Sequence, residues 1–233
     1  MDIVYVNKEG ENPELRYSLR TLQNITHDNV WVFGGSPSWL NHDTVHYRSN
    51  AQRASPYSST RSHIAAACNT REVSDPFLLW NDDFYVMKPI IDVPIMHRGS
   101  LKEWISKTPQ ARTIWWTGLY ETAALINTFE KPDHVEWKSY DIHVPLPIYK
   151  YEMKEALRLA TKIRTDAVHL RTLYGNIAFE GIGTMVADPK VTRRRDPFPR
   201  GPWLSSGDDT FLSTVEPVLR YLFPDPCEYE RSE

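Results

Sequence analysis

Two adjacent carboxylates, Asp82 and Asp83, interrupt an apolar run in "FLLWNDDFYVMKPI", residues 77–90. Neighbouring carboxylates repel each other unless a cation lies between them or hydrogen bonds hold them apart. At the carboxyl end of a buried strand the pair would suit Mg²⁺ or Mn²⁺. These hard ions take one or two carboxylates and complete their shells with water and phosphate oxygens. Open α/β sheets bind ligands just past such strand ends. Asn-Asp-Asp is also ordinary turn chemistry between the strands of a hairpin, and taken alone the motif fits that turn better.

Further along the chain, His143 in "DIHVP" reads as a hydrogen-bonded structural histidine or as a metal ligand that would suit Mn²⁺ more than Mg²⁺. Arg171 in "HLRTLYGN" is either a surface helix arginine or a guanidinium able to clamp a phosphate bidentately. Lys190, Arg193, Arg194 and Arg195 lie in a proline-rich stretch. They read as solvated charge, a ligand-binding edge, or a mobile loop that closes over a ligand. Asp208 and Asp209 follow "WLSSG" and precede a helical pattern, where an N-cap is the default role. Trp115 and Trp116 point to opposite sides of a helix and suit core packing.

The elements that must position these residues begin with "DIVYV", a short β-rich run. "ENPELRYSLRTLQNI" then reads as a helix, with Asn12 as N-cap, Pro13 at the first position and Leu15, Leu19 and Leu22 at helical spacing. "NVWVFGG" and "VHYR" read as strands, residues 59–73 as a helix, and "PFLLW" as a buried strand leading into the acid pair. That alternation predicts an α/β layered domain with a mostly parallel sheet flanked by helices. Beyond it the spacing predicts helices over residues 111–129, 149–163 and 166–179, and a strand over 136–148. A closing helix over 208–223 is expected to bend at Pro217, and the tail from 226 to be poorly ordered. With 233 residues, 41% of them hydrophobic, the chain can bury a sizeable core. A net charge of −3 supplies no field to draw it onto nucleic acid or an anionic membrane. Two distant cysteines predict neither a disulfide framework nor a cysteine zinc site, and suit a reducing compartment. No signal peptide or membrane span is expected, so the expectation is a cytoplasmic protein.

Three segments in order, "NPELRYSLRTLQNI", "VWVFGGSPSWLN" and "SDPFLLWNDDFYVMKPI", resemble the Stealth family of sugar-phosphate transferases. The resemblance continues in "HVPLPIYKYEMKEAL", "HLRTLYGNIAF" and "LSSGDDTF", and touches about two-thirds of the chain. The opening motif departs from the family pattern, being only "IVYVNKEG", and the version is short, similar to transferases of bacteria and their phages. The resemblance implies a GT-A-like single domain over 1–225, with a nucleotide-sugar-binding half (1–90) and an acceptor half (91–225). It makes Asp83 and His143 metal ligands. It implies donor contacts by Asp82, Arg16, Arg20 and Asn7, and catalytic roles for Arg171 on the diphosphate and Asp208 as general base; Arg194, in the basic proline-rich loop, is a further donor-contact candidate that could close over the donor. Asp2 and Asn7 lie around the first strand, where such folds seat the nucleotide base. The expected activity is metal-dependent glycosyl transfer from a nucleotide-diphosphate sugar, with uridine as the expected base. The acceptor would be a hydroxyl of a protein or glycan, and a modified nucleic acid base fits less well. Alternatives are sugar-1-phosphate transfer and a non-catalytic carbohydrate- or nucleotide-binding module. A metal-dependent phosphoesterase or nuclease fits least, since such sites gather several separated acids around two metals.

Overall fold

The computed structural model describes residues 1–107, 113–130 and 135–231. The elements of the first half are β1 (Ile3–Asn7), α1 (Pro13–Thr21), β2 (Val30–Gly34), β3 (His46–Ser49), α2 (Pro56–Asn69), β4 (Phe77–Trp80) and β5 (Phe84–Val86). There follow β6 (Met96–His97), α3 (Leu101–Lys107), α4 (Ile114–Ile126), β7 (Leu146–Ile148), α5 (Lys150–Ala160) and α6 (Leu170–Ala178). The chain closes with β8 (Thr184–Met185), β9 (Lys190–Val191), β10 (Trp203–Ser206), a π turn over Phe211–Val215 and α7 (Glu216–Leu222). The central sheet runs β3-β2-β1-β4-β7. Its pairs are parallel except β4 with β7 at the edge. The expected mostly parallel α/β architecture is the one found.

Burial on both faces explains why "PFLLW" is apolar throughout rather than alternating. Leu78 and Trp80 pack with Ile3 and Tyr5 of β1 and with Leu15 and Leu19 of α1. Phe77 and Leu79 face the opposite cluster with Val4 and with residues of α2, α5 and α6. Helix α1 starts where its cap chemistry dictates: the Asn12 side chain accepts from the Leu15 N–H at 3.2 Å. Helix α2 starts at Pro56, ahead of the expected residue 59, because Ser55 and Ser58 form a reciprocal capping box.

Four expectations need correction. The acid pair does not turn a hairpin: β5 leaves the central sheet and pairs antiparallel with β10 in a second sheet, order β5-β10-β9. The turn, closed by the Phe84 N–H on the Asn81 carbonyl at 3.2 Å, therefore carries the chain between two sheets. Of the strand expected over 136–148, only β7 forms. Helix α6 satisfies the backbone that precedes it: the Thr172 hydroxyl accepts from Tyr140 N–H, and the Asn176 amide bonds both N–H and C=O of Lys138. The same segment also makes a short antiparallel bridge to the chain before α3, with Arg98 N–H donating to the Ser139 carbonyl at 2.8 Å and Ser139 N–H to the Gly99 carbonyl at 3.0 Å. The bend expected at Pro217 is a π turn just before it, and Pro217 sits in the first turn of α7, where its missing N–H costs nothing. The tail is not loose: Tyr229 and Glu230 are buried, and Glu230 bridges back to Leu40.

Candidate active site

The site lies at the carboxyl ends of β1 and β4. Asn12, just before α1, donates through Nδ2 to Asn7 Oδ1 at 2.5 Å and to Asp82 Oδ2 at 2.7 Å. Its backbone lies in the left-handed region (φ 32°), which asparagine tolerates. One amide thus ties the ends of β1 and β4 to the start of α1. At the end of β2, Gly34 has φ +117°, and a Cβ there would lie 2.1 Å from the Asn7 carbonyl. Only glycine lets these strand ends approach so closely.

Asp83 faces the other way. Its Oδ2 accepts from the Ser205 hydroxyl on β10 at 2.8 Å and from the Lys190 ammonium on β9 at 3.4 Å. The same ammonium donates to His143 Nε2 at 3.2 Å. On the far side of the ring, His143 Nδ1 stands 3.0 Å from both carboxylate oxygens of Asp188. That network assigns the proton to Nδ1 and leaves the Nε2 lone pair accepting from the Lys190 ammonium. Arg98 completes the chain with an ion pair to Asp188 at 2.5 Å. Burial works to raise Asp188, but the hydrogen bond from His143 and the charge of Arg98 outweigh it and hold the acid at about 2.

Beneath this row sits Arg171, in the first turn of α6. It donates to the Val144 carbonyl and lies over the Phe84 ring, 5.6 Å from its centroid. Its Nη1 is buried without a hydrogen-bond partner among the described residues. Burial lowers it to about 10 against the pull of Asp141, Asp83 and Asp188. Asp141 Oδ2 is 2.5 Å from His169 Nδ1. Burial works to raise Asp141, but the charge and hydrogen bond of His169 prevail and lower it; His169 rises although burial opposes this.

On the Asp82 side the field is reversed. Burial raises Asp82, and the charge of Asp83 adds to the effect. Glu14 in α1 hydrogen-bonds Ser206 at 2.8 Å, and burial, with the charges of Asp82 and Asp83, lifts it to about 7. A carboxyl poised near neutrality beside two acids is a feature the sequence reading missed.

Of the residues singled out from sequence, the structure brings together Asn7, Asp82, Asp83, His143 and Arg171. Arg16 and Arg20 do not join them: both engage Glu230 of the tail, Arg20 at 2.6 and 2.8 Å, and Arg20 also bonds the carbonyls of Phe223 and Pro224. Asp2 sits at the opposite end of β1, bonded to Asn29, Trp31 and Ser74. Arg194 is exposed in the loop after β9, and Lys190 is the member of that basic cluster that reaches Asp83. Asp208 is exposed in the turn after β10; it does not cap the following helix, whose cap position is Thr210. Trp115 packs against His169 with ring centroids 4.5 Å apart, as well as against Trp116. Asp188 is a site residue that sequence reasoning missed; Asn12 was read only as a helix cap, and Lys190 only as one member of a basic cluster. Their one signal was polarity next to short apolar strands.

Two cavities adjoin the acid pair. One of about 410 Å³ is lined by Asn7, Lys8, Arg53, Ser55 and Asp82, and meets the N-terminus of α2. Two cations and the positive end of a helix dipole make its wall attractive to anions. A second, of about 230 Å³, is lined by Trp115, Asp141, His169 and Arg171 and shares Thr60 and Asn81 with the first.

Asp83 and His143 fit part of a divalent-ion site. Asp83 Oδ2 and His143 Nε2 address one point, now held by the Lys190 ammonium, and Asp188 orients the imidazole as a ligating histidine requires. Among the described residues no group of three or more His, Cys, Asp or Glu is arranged around an ion position. Water and ligand oxygens would supply the remaining contacts.

Among solved structures, the chain is similar to an active-site mutant of LgtC, with a TM-score of 0.54 at 10% identity, covering 98% of both chains. It is also similar to galactosyltransferase LgtC in complex with donor and acceptor sugar analogs, with a TM-score of 0.50 at 12% identity, covering 97% of this chain and 96% of the other. No protein-family model matches the chain, and no curated protein matches it significantly. The likeness shows that the chain shares the fold of these structures, a mostly parallel sheet flanked by helices, and does not extend to the Stealth family in particular. No helix among the described residues is long and apolar enough to cross a membrane.

Proposed function

We propose that this protein is a glycosyltransferase that moves a sugar from a nucleotide-diphosphate donor, with uridine the favoured base, to a hydroxyl of a protein or glycan. The observation that carries this reading is the convergence of Asp83, His143 and Lys190 at the end of β4, beside a cavity whose wall favours anions. The GT-A fold is consistent with it.

In this reading the nucleoside occupies the larger cavity beside Asn7 and Asp82. The diphosphate lies toward Lys8, Arg53 and the start of α2, and the transferred sugar enters the smaller cavity against Trp115, Asp141 and Arg171. The acceptor oxygen bonds to the anomeric carbon as the bond from that carbon to the β-phosphate oxygen breaks, and the diphosphate leaves with the electron pair. Asp208 is assigned the hydroxyl proton on the strength of the sequence resemblance. Arg171, buried with one nitrogen unpartnered, has a donor to spare for the departing phosphate. Asp83 and His143 would hold Mn²⁺ or Mg²⁺, whose charge would neutralise the diphosphate.

The test is a donor screen. Purified protein with Mn²⁺ is incubated with uridine, guanosine, cytidine and thymidine diphosphate sugars, and the released nucleotide is identified. Release of nucleoside diphosphate is expected. Nucleoside monophosphate would show sugar-phosphate transfer instead, and tight nucleotide binding without turnover would show a binding module.

A further inference from the structure

We infer that the Lys190 ammonium is a tethered competitor for the cation position between Asp83 and His143, and that a divalent ion binds only by displacing it. The inference deepens the reading above and rests on it for the identity of the site, while its central claim concerns the metal alone.

Lys190 Nζ takes the two lone pairs a metal would need, on Asp83 Oδ2 at 3.4 Å and on His143 Nε2 at 3.2 Å. A lone pair facing an ammonium proton is unavailable to a metal, and two cations cannot share one point at these separations. The ammonium has a reason to be there. Asp83 is buried, and its carboxylate without a counter-ion would be costly. The lysine is also built to leave. Its side chain is 25% exposed, and its backbone belongs to β9, the edge strand of the second sheet, paired with Ser205 of β10. The strand can stay in place while the head swings on its four-carbon stem. Neither Ser205, which keeps its hydroxyl on Asp83, nor Asp188, which keeps the imidazole oriented, has to move.

Calorimetric titration of the full chain with Mn²⁺ alone tests this, comparing wild type, K190M, K190R, D83N and the double variant D83N/K190M. K190M is expected to bind Mn²⁺ at least about tenfold more tightly than wild type, because removing a unit charge at contact distance removes a strong repulsion. K190R, which keeps the charge, is expected to gain nothing, and D83N to abolish the gain in the double variant. Equal or weaker binding by K190M overturns the proposal, as does binding that D83N leaves unchanged, or no Mn²⁺ binding by any variant. Uridine diphosphate is titrated as a separate arm: if none of the proteins binds it, the donor reading fails while the metal result still decides the competition.

Discussion

Asp82 and Asp83 are consecutive residues that belong to different halves of the molecule. Asp82 looks toward β1 and α1, where Asn12 holds it and Lys8 is 4.0 Å away. Its partners come from the first fifteen residues, and its carboxyl is pushed up by burial and by its neighbour. Asp83 looks toward β9, β10 and the loop before β7, and every partner it has there lies more than 100 residues away or is relayed through Lys190. The turn between two sheets is what divides the pair. The lesson is that two adjacent carboxylates can be given separate tasks by opposed surroundings: one shapes the floor of a cavity, the other addresses a cation position.

Replacement of each side in turn should expose the division. The largest effect is expected for Asp83→Asn. An amide is a poor ligand for a hard cation and brings no charge, so turnover should fall by about 10³-fold or more with the fold retained. Steady-state kinetics alongside thermal melting decide it, and near-normal activity in a folded variant would break the comparison. Asp188→Asn should cost less, about 10- to 100-fold, because it only orients His143. Since Arg98 also loses an ion pair, the readout is Mn²⁺ affinity rather than rate alone, and unchanged affinity would remove His143 from the cation position.

Asp82→Asn is expected to weaken donor nucleotide binding by about tenfold while leaving the melting temperature unchanged or higher, since it removes a half-buried charge that repels Asp83 and Glu14. A loss of metal affinity equal to that of Asp83→Asn would mean the two acids act as one site. The smallest effect belongs to Glu14. Its folded-state value, about 7, lies above the ordinary 4.5, so the protonated form favours the fold. That contribution is present below about pH 4.5 and is lost as pH rises through 7. Between about pH 5 and about pH 8, wild type should therefore lose a few degrees of melting temperature relative to Glu14→Gln. Parallel melting curves for the two proteins would place Glu14 in an ordinary solvated setting.

The two sides also differ in how far they could be read in advance. On the Asp82 side the information is local. Asn12 followed by Pro13 starts a helix, leucines three and four residues apart fix its buried face, Gly34 ends a strand, and "PFLLW" can only be a strand buried on both faces. Short-range stereochemistry and period decide all of these, so elements and sheet class were legible. The placement of Arg16 and Arg20 was misread for a physical reason. Helical spacing says that they share a face but not which neighbour that face meets, and Glu230, more than 200 residues away, takes it.

By itself the sequence determined the parallel sheet, the helices that flank it, and the arrival of two carboxylates at the end of a buried strand, because propensity, capping and hydrophobic period act over a few residues. It also marked His143 and Arg171 as polar groups near element ends. Only the tertiary structure decided that β5 would leave the central sheet, that β9 would lie beside β10, and that Lys190 rather than Arg194 would reach Asp83. It also decided that Asp188 would orient His143. Those outcomes depend on the pairing of strands two and four residues long with partners far away in sequence. No local propensity specifies such pairings; the burial of Tyr85, Val191, Leu204 and Phe211 against one another does.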